Sequence, residues 1–408
     1  MDRTILHCDC NGFYASVELL FRPDLREVPM AVCGNPKNRH GIILAKNELA
    51  KKYGIKTAET VWQAKQKCPD LHLVLPHHDE YSRCSRRINA IYQEYTDRVE
   101  PFSIDESWLD VTHSRLLFGD GKTIADTLRR RIREELGLTI SVGVSFNKFF
   151  AKMGSDYKKP DATTVISREN YRELLYPLPI SEMIFVGKAT QGILDKFGIH
   201  TIGELAECDL KFMERQMGKT GVMLWNYANG IDESVVRLAS EEREVKSVGH
   251  GITFRRNLMG LDDIRIGTLE LADEVAARLR RYDLKCQTVQ VQIKSVDLSV
   301  IQRQRGVGHP TNIAREIYDL AIAIIRDSWN MGSPIRMLTV TGTNLTNQDF
   351  GEQLSLIASP DSETDREKKE KLEVALDKVR DRYGHDSLSY GSLVGAELLQ
   401  EDESEKIE

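Results

Sequence analysis

The stretch Ser103-Ile104-Asp105-Glu106-Ser107-Trp108-Leu109-Asp110-Val111-Thr112 places two adjacent carboxylates between two β-prone runs of residues. These runs, 98–104 and 107–112, predict a tight hairpin with Asp105 and Glu106 at its tip. Adjacent carboxylates repel each other unless a cation neutralises them, and hard oxygen ligands of this kind suit Mg²⁺. Taken alone, such a pair is far more often an acidic hairpin tip in solvent, so the prediction of a metal site depends on other parts of the chain.

The segments around this hairpin predict the topology of the sheet that carries it. A buried strand, residues 4–9, ends at Asp9, and a turn and a helix follow. Helices at 80–97 and 122–136 and a strand at 138–144 flank the hairpin, as the spacing of their apolar residues indicates. The resulting order, strand-helix-strand-strand-helix-strand, is that of a ferredoxin-like fold in the α+β class, whose central strands are the first and the third.

This topology brings distant carboxylates together. Asp9 is expected to meet the hairpin tip although about a hundred residues separate them along the chain. Three carboxylates at one sheet edge suit two metal ions that act in in-line phosphoryl transfer. For Asp9 judged alone, a helix-capping role is the alternative.

The composition is that of ordinary globular protein, with 408 residues, 41% of them hydrophobic and 29% charged. The length predicts roughly two to four domains. No run of 18 apolar residues occurs, so we expect no membrane span, and the first four residues lack the features of a signal peptide. The seven cysteines form an odd set without a Cys-x-x-Cys pair, which indicates reduced thiols in the cytoplasm.

The net charge of −6 is unevenly distributed along the chain. Residues 346–408 hold 17 Asp/Glu and 8 Lys/Arg, a net charge of −9, so residues 1–345 carry a net charge of +3. Within these, residues 246–345 hold 14 Lys/Arg and 10 Asp/Glu. The acidic tail therefore masks a mildly basic body, which permits phosphate binding.

Lysines cluster in two regions on either side of the predicted hairpin. The small mixed segment 30–76 carries Lys46, Lys51, Lys52 and Lys56. Such a cluster is a solvated face or, beside a metal site, a clamp for a triphosphate. Further along, Lys148 and Lys152 lie one helical turn apart on a shared face, and Lys159 follows that helix.

The C-terminal half predicts a helical region and a second region of mixed structure. Residues 180–232 predict short helices with glycine-containing turns, whose backbone N–H groups can bind a DNA phosphate. After a charged linker, residues 248–345 repeat the order of the first sheet without repeating its sequence. The polar face of its hairpin could lie along a DNA backbone or be an ordinary solvated surface. This face comprises Gln290, Gln292 and Lys294, with Arg303 and Arg305 on the neighbouring strand.

The tail contains the short apolar sequence Gln353-Leu354-Ser355-Leu356-Ile357, a charged helix near 364–383 and an acidic end. A short apolar motif in a polar tail is either a local packing anchor or a peptide ligand for a pocket of a partner. Neither Gly-Lys-Thr tripeptide, at 121–123 or 218–220, has the upstream glycine of a P-loop, which excludes an ATPase of that class.

Taken together, these motifs resemble those of the Y-family translesion DNA polymerases, most closely the bacterial DNA polymerase IV group. The resemblance covers about residues 3–357 and is carried by Asp9–Tyr14, Ser103–Glu106, Ser145–Pro160 and Gly218–Asp232. It implies a ferredoxin-like palm with inserted fingers, a helical thumb and a second ferredoxin-like little-finger domain. The implied bounds are 1–10 and 77–167 for the palm, 11–76 for the fingers, 168–238 for a helix-hairpin-helix-like thumb, 239–247 for a linker, 248–345 for the little finger and 346–408 for the acidic tail.

The resemblance also implies a metal site and a nucleotide site. Asp9, Asp105 and Glu106 would bind two Mg²⁺ ions, helped by the backbone carbonyl of Cys10. Phe13, Tyr14, Lys51 and Lys159 would contact the nucleotide, with Tyr14 as the steric gate against ribonucleotides.

The fingers helix departs from the pattern of the family. The family usually has Tyr and Arg there, three residues apart, and both contact the triphosphate. The matching positions in this chain are Glu48 and Lys51. Lysine is a point charge without the bidentate fork of arginine, and a glutamate that pointed inward would repel phosphate.

We therefore expect a template-directed DNA polymerase of low fidelity that acts in translesion synthesis as a cytoplasmic monomer. Its partners would be primer-template DNA, a dNTP and the sliding clamp (beta subunit), bound through Gln353, Leu354, Leu356 and Ile357. Two alternatives are a catalytically silent, clamp-docked scaffold of the same family and a nucleotidyl cyclase. Retention of the three acids speaks against the first, and the thumb-like and little-finger-like segments speak against the second.

Overall fold

The structure, a computed structural model, describes residues 2–35, 41–241, 243–347, 360–393 and 398. The chain divides into two compact units, Met1–Glu242 and Arg243–Glu408, and the boundary falls inside the predicted linker 239–247. None of the helices in these described ranges combines the length and the apolar character that crossing a membrane requires.

The first unit contains two sheets and a helical region. Its strands are β1 (Ile5–Cys10), β2 (Met30–Cys33), β3 (Ile43–Lys46), β4 (His72–Val74), β5 (Val99–Pro101), β6 (Glu106–Asp110), β7 (Ile140–Ser145) and β8 (Thr163–Ile166). Its helices are α1 (Phe13–Phe21), α2 (Glu48–Lys52), α3 (Val61–Lys67), α4 (His78–Gln93), α5 (Arg115–Phe118), α6 (Gly121–Leu136), α7 (Lys148–Tyr157), α8 (Tyr171–Leu175), α9 (Lys188–Lys196), α10 (Ile202–Glu207) and α11 (Leu210–Ala228).

The larger sheet has the strand order β5-β6-β1-β7-β8, which confirms the ferredoxin-like topology. As predicted, the first strand, β1, and the third, β6, are neighbours in its centre and run antiparallel. Strand β8, which the sequence did not predict, extends the sheet as a parallel partner of β7. Strand β5 ends at Pro101, earlier than expected, because the backbone N–H groups of Phe102 and Ser103 both donate to the Glu106 carbonyl and form the turn.

The prediction for the helix at 80–97 was wrong at both ends, because α4 spans His78–Gln93. The helix stops where the Tyr95 N–H donates to the Tyr92 carbonyl, three residues back, so that its last turn tightens. Tyr95 still packs into the core, with 8% of its surface exposed. Together with α6, α4 covers one face of the larger sheet with an apolar stripe.

Helix α7 covers the opposite face of this sheet at unusually short range. A Cβ atom added to Gly143 of β7 would lie 1.9 Å from the Ala151 carbonyl oxygen and 2.5 Å from the Ser155 nitrogen. A Cβ atom added to Gly154 of α7 would in turn lie 3.0 Å from the Cα atom of Gly143. Only glycine permits this approach, because any side chain at Gly143 would occupy the backbone of α7.

The smaller sheet, order β3-β2-β4, is built from residues 30–74 and lies against α1 through β3. Helix α2 begins at the end of β3, where the Asn47 carboxamide accepts the Ala50 and Met30 N–H groups at 2.9 and 3.1 Å. Its amide nitrogen donates to the Val28 carbonyl at 2.8 Å. The Asn47 side chain therefore fixes the start of α2 to Met30, the first residue of β2.

The second unit comprises β9 (Ser247–Leu258), α12 (Gly260–Arg281), β10 (Leu284–Ser295), β11 (Val300–Thr311), α13 (Ala314–Ser328), β12 (Ile335–Asn347) and α14 (Pro360–Tyr383). The predicted strand-helix-strand-strand-helix-strand order is confirmed. Its strands, however, are arranged as β11-β10-β12-β9, so the hairpin β10–β11 lies at one edge of an antiparallel sheet. The inward residues Val289, Val291 and Ile293 are at most 1% exposed, as the alternation predicted.

The expected position of Arg303 and Arg305 beside the polar face was wrong. Strand pairing sets Arg303 opposite Val291 and Arg305 opposite Val289, and residues opposite each other in a sheet share a face. Both arginines therefore lie on the helix side of the sheet, and Arg305 pairs with Asp327 of α13 at 2.6 Å.

Helix α14 of the acidic tail packs on the second unit through buried ion pairs. Arg280 of α12 contacts Glu373 at 3.0 Å and Asp377 at 2.5 Å, and its side chain is 5% exposed. Arg380 of α14 contacts Asp273 of α12 at 2.8 Å. This helix is therefore an integral part of the unit, with its Glu373 and Asp377 paired to the buried Arg280.

Candidate active site

Three carboxylates meet at one edge of the larger sheet. Asp9 of β1 and Glu106 of β6 are directly opposite each other in the strand pairing. The Cys10 N–H donates to the Asp105 carbonyl at 3.1 Å, which places the hairpin turn against the end of β1. Asp9 is 4% exposed, whereas Asp105 and Glu106 are half-buried. The meeting predicted from topology is thus confirmed, although Asp9 and the turn lie far apart in sequence.

Two lysines from α7 and its exit neutralise these acids. The Lys152 ammonium lies 2.7 Å from Glu106 Oε1, 3.2 Å from Asp9 Oδ2 and 3.0 Å from Asp156 Oδ2. The Lys159 ammonium lies 2.7 Å from Asp9 Oδ2 and 2.7 Å from Asp156 Oδ1. The Lys152 side chain is 11% exposed and the Lys159 side chain 31%, so Lys152 is part of the interior and Lys159 faces the solvent side.

The pKa values of the acids reflect this crowding. Burial and the hydrogen bond with Asp9 together raise the pKa of Glu106 to about 7, against the opposing effect of Lys152. Burial and the Asp9 charge also raise the pKa of Asp105, although the Ser103 hydroxyl, 2.6 Å from its Oδ1, opposes the rise. Burial acts in the same direction on Asp9, but the Glu106 hydrogen bond and the charges of Lys159 and Lys152 outweigh it and lower its pKa.

In the described part of the chain, no three His, Cys, Asp or Glu side chains converge with the geometry of a bound metal. Lys152 and Lys159 donate to Asp9 and Glu106, and the Ser103 hydroxyl donates to Asp105. These hydrogen bonds involve one oxygen of each carboxylate, Oδ2 of Asp9, Oε1 of Glu106 and Oδ1 of Asp105.

A cavity of about 390 Å³ opens in front of the acids. Its lining includes the three acids, the turn formed by Cys10, Gly12, Phe13 and Tyr14, and the side chains of Lys159, Lys46 and Thr57. Gly12 has a φ of +54°, and no side chain among the described residues caps α1, which begins at Phe13. The first N–H groups of a helix have no intrahelical acceptor, so this turn favours an anion beside it.

Tyr14 is held in the cavity by a stack of aromatic rings. Its ring lies parallel to that of Tyr81, with centroids 4.1 Å apart and planes inclined by 14°. The Tyr81 hydroxyl donates to the carboxylate of Glu18, which is 1% exposed, and His77 Nδ1 lies 3.0 Å from the same group. The position of Tyr14 is therefore fixed from behind by buried side chains.

Lys51 was predicted to contact the nucleotide. Lys51 lies outside the set of described residues that line the cavity, and its ammonium pairs with Glu48 at 3.6 Å on an exposed helix face. The predicted clamp peptide, Gln353, Leu354, Leu356 and Ile357, falls outside the described residues.

The structure also shows contacts that sequence reasoning missed. Lys152 contacts both Asp9 and Glu106, and the only signal for this was its spacing of four residues from Lys148. Lys148 itself contacts Glu100 at 2.7 Å and lies over the Trp108 ring at 4.3 Å. Lys46 was one of four clustered lysines, and no local pattern distinguished it as a residue of the cavity.

The arrangement matches a known class of fold. A solved chimera of Y-family DNA polymerases superposes with a TM-score of 0.75 at 23% sequence identity, covering 84% of this chain and 99% of the chimera. The fold is that of the Y-family DNA polymerases.

The sequence comparisons are more specific. Residues 8–156 match the model of the impB/mucB/samB family, and residues 245–356 match the model of its C-terminal domain. A DNA polymerase IV of Acetivibrio thermocellus is 47% identical over 394 residues, covering 97% of this chain and 98% of the relative. A DNA polymerase IV of Pelotomaculum thermopropionicum is 38% identical over 398 residues, covering 97% of each. The chain belongs to the DNA polymerase IV family.

Proposed function

We propose that this protein is a template-directed DNA polymerase of low fidelity that carries out translesion synthesis. The observation that supports it is the strand pairing of Asp9 with Glu106, which sets three carboxylates beside Tyr14 and Lys159 in one cavity. In the reaction, the 3′-hydroxyl of a primer attacks the α-phosphate of a dNTP and pyrophosphate leaves. Relatives of nearly the same length carry the name DNA polymerase IV.

The residues of the site fit Mg²⁺. Asp9, Asp105 and Glu106 supply hard carboxylate oxygens, the ligands that Mg²⁺ prefers. The Cys10 thiol is buried in the core, so its backbone carbonyl is the group left for an ion. Two Mg²⁺ ions held by these four residues would lower the pKa of the primer hydroxyl and stabilise the charge that develops on the phosphate.

The lysines have separate roles in this proposal. Lys159 is the more exposed of the two, so its ammonium can leave Asp9 for a phosphate oxygen of the nucleotide. Lys152 is buried, with contacts to Asp9 and Glu106, and keeps these carboxylates oriented. The first N–H groups of α1, at Phe13 and Tyr14, add a partial positive charge beside the same phosphates. Lys51, carried over from the family, is a further proposed contact, although it is not among the described residues that line the cavity.

Tyr14 selects the sugar in this proposal. A planar ring under C2′ leaves room for a hydrogen and excludes a hydroxyl, and Phe13 packs behind it. The stack on Tyr81 prevents the ring from yielding to a ribonucleotide.

The proposed partners are primer-template DNA and a sliding clamp, the latter bound by Gln353, Leu354, Leu356 and Ile357. Gln290 and Gln292 are half-buried and lie on the face of β10 opposite the buried Val289, Val291 and Ile293, which supports contact with a DNA backbone. All seven cysteines are free thiols, which supports a reducing compartment such as the cytoplasm. We propose that the protein acts there as a monomer.

Primer extension tests the proposal. Wild-type protein should add nucleotides to a primer over undamaged and abasic templates, with each dNTP supplied singly. Asp105→Ala should lose extension by orders of magnitude while DNA binding persists, because contacts elsewhere hold the phosphates. Asp70→Ala, which removes an exposed carboxylate after α3, is the matched control and should extend normally.

The same assay separates the alternatives. A scaffold would bind DNA and a clamp but extend no primer even as wild type. A nucleotidyl cyclase would form a cyclic product from a nucleoside triphosphate without a primer. Extension by Asp105→Ala near the wild-type rate would contradict the assignment of the acids.

A further inference from the structure

Lys46 and Thr57 line the same cavity as Asp9, Asp105 and Glu106, and they have no role in the function proposed above. If the protein is the polymerase proposed above, the α-phosphate of the nucleotide lies at the acids. The β- and γ-phosphates must then extend from there through the rest of the cavity.

Gly12 leaves this path open. The Lys46 carbonyl oxygen is 3.4 Å from the position that a Cβ atom on Gly12 would take, so the end of β3 lies directly against this turn. Glycine at this position adds no side-chain atoms to the space between the turn and the end of β3. The uncapped first turn of α1 borders the same passage, as described above.

The charge of Lys46 is available to an anion. Its ammonium donates to the neutral Thr57 hydroxyl at 3.2 Å. Within the described part of the chain, no carboxylate lies within 4.0 Å of it. The other lysine of the cavity, Lys159, is neutralised by Asp9 and Asp156. Hydrogen bonds between an ammonium and phosphate are among the strong ones, so an unneutralised lysine beside an anion path is a binding group.

Lys51 is less suited to this task. It lies on the five-residue helix α2, with 57% of its side chain exposed, and its charge is shared with Glu48. Lys46 instead is the last residue of β3, where strand pairing with Ala31 holds its backbone. A contact that starts from a strand is better fixed than one from the exposed face of a short helix.

We infer that Lys46, supported by the Thr57 hydroxyl, binds the β- and γ-phosphates of the incoming dNTP and replaces the Tyr and Arg that the family usually has on the fingers helix. Glu48 pairs with Lys51 and is not among the described residues that line the cavity. The contact with the phosphates thus moves from positions 48 and 51 on α2 to position 46 at the end of β3.

The inference is tested with pre-steady-state extension of a defined primer-template. Lys46→Ala should raise the KM for dNTP about ten- to a hundredfold, because a charge-assisted contact to phosphate is lost. The change should fall mainly on KM, since the contact is present in both the bound substrate and the transition state. Lys46→Arg should stay within about threefold of wild type, as it retains the charge. Lys52→Ala, an exposed lysine of α2, is the matched control and should change the KM less than twofold.

Inhibition by two ligands that carry different phosphates separates a direct contact from a structural effect. Inhibition by inorganic pyrophosphate should weaken in Lys46→Ala, whereas inhibition by a dNMP, which lacks the β- and γ-phosphates, should not change. Thr57→Val should raise the KM by a few fold without changing the melting temperature, and it serves if Lys46→Ala does not fold.

The outcomes are distinct. A KM for Lys46→Ala within twofold of that for Lys52→Ala overturns the inference, and so does a larger effect from Lys51→Ala than from Lys46→Ala. Equal weakening of dNMP and pyrophosphate inhibition would show that Lys46 acts on the whole site, and it overturns the inference as well. A wild-type protein that extends no primer would overturn the proposed function and this inference with it.

Discussion

Replacing Gly143 with alanine tests how the packing of α7 on the sheet sets the geometry of the acidic site. Helix α7 carries Lys152, whose ammonium is 2.7 Å from Glu106. The added methyl group would lie 1.9 Å from the Ala151 carbonyl oxygen, where ordinary contacts begin at 3.4 Å. The helix must therefore retreat from β7 by about 1.5 Å, the difference between these distances.

This displacement has two measurable costs. Overpacking of a tight contact costs typically 1–3 kcal/mol, and the overlap with backbone atoms on three sides places this variant near 3 kcal/mol. For a unit of this size, that loss lowers the melting temperature by roughly 6–12 °C. A displacement of about 1 Å at a catalytic site can cost about 100-fold in rate, so we expect kcat/KM for dNTP to fall by that order.

A low assay temperature separates the loss of rate from the loss of stability. Extension is measured 20 °C or more below both melting temperatures, where the unfolded fraction is negligible. Gly192→Ala is the control, because no described atom lies within 4 Å of the added Cβ and alanine favours the interior of α9. If Gly143→Ala melted within 1 °C of wild type and extended primers within twofold of its rate, the reasoning from this contact would be refuted.

Three further changes address other parts of the molecule. Tyr14→Ala should raise ribonucleotide incorporation relative to dNTP at least tenfold, or about 1.4 kcal/mol. The ratio of kcat/KM for GTP to that for dGTP opposite template C measures this change, and an unchanged ratio would mean that Tyr14 is a core residue. Gln353→Ala with Leu356→Ala should abolish stimulation by a sliding clamp and leave clamp-free extension intact, whereas equal loss of both would indicate a packing role. Glu100→Gln should cost roughly 3 kcal/mol by leaving Lys148 buried without its partner. Lys148 and Arg237 hold the pKa of Glu100 below the ordinary 4.5 in spite of burial. In denaturant titrations, the stability difference between the variant and the wild type should therefore be full above pH 4.5 and should vanish as the pH falls through the folded pKa of Glu100.

The central geometry of the site could be predicted because it depends on local rules. Alternation along β1 turns Cys8 and Cys10 into the core and Asp9 to the opposite face. The order of elements then fixes β6 as the neighbour of β1, and the hairpin turn carries Asp105 with it. No long-range packing detail is needed for either step.

Contacts that depend on tertiary distance could not be predicted in this way. The reach of Lys152 to the acids depends on the height of α7 above the sheet, which the contact of Gly143 with the helix backbone sets. The faces of Arg303 and Arg305 depend on the register of a hairpin with an irregularity between Cys286 and Thr288, and a shift of one residue reverses every side chain. Neither feature has a signal in the local sequence.

The docking of α14 has a consequence for genetics. A stop codon placed after the apolar motif at 353–357 would spare the three acids and the motif itself. It would also remove Glu373, Asp377 and Arg380, the partners of Arg280 and Asp273. The loss of these buried ion pairs would lower the stability of the second unit, and a domain is stable by only about 5–15 kcal/mol. Such truncated alleles should therefore be lost through degradation of the protein, and in a screen they would resemble whole-gene deletions although every residue of the active site is still encoded.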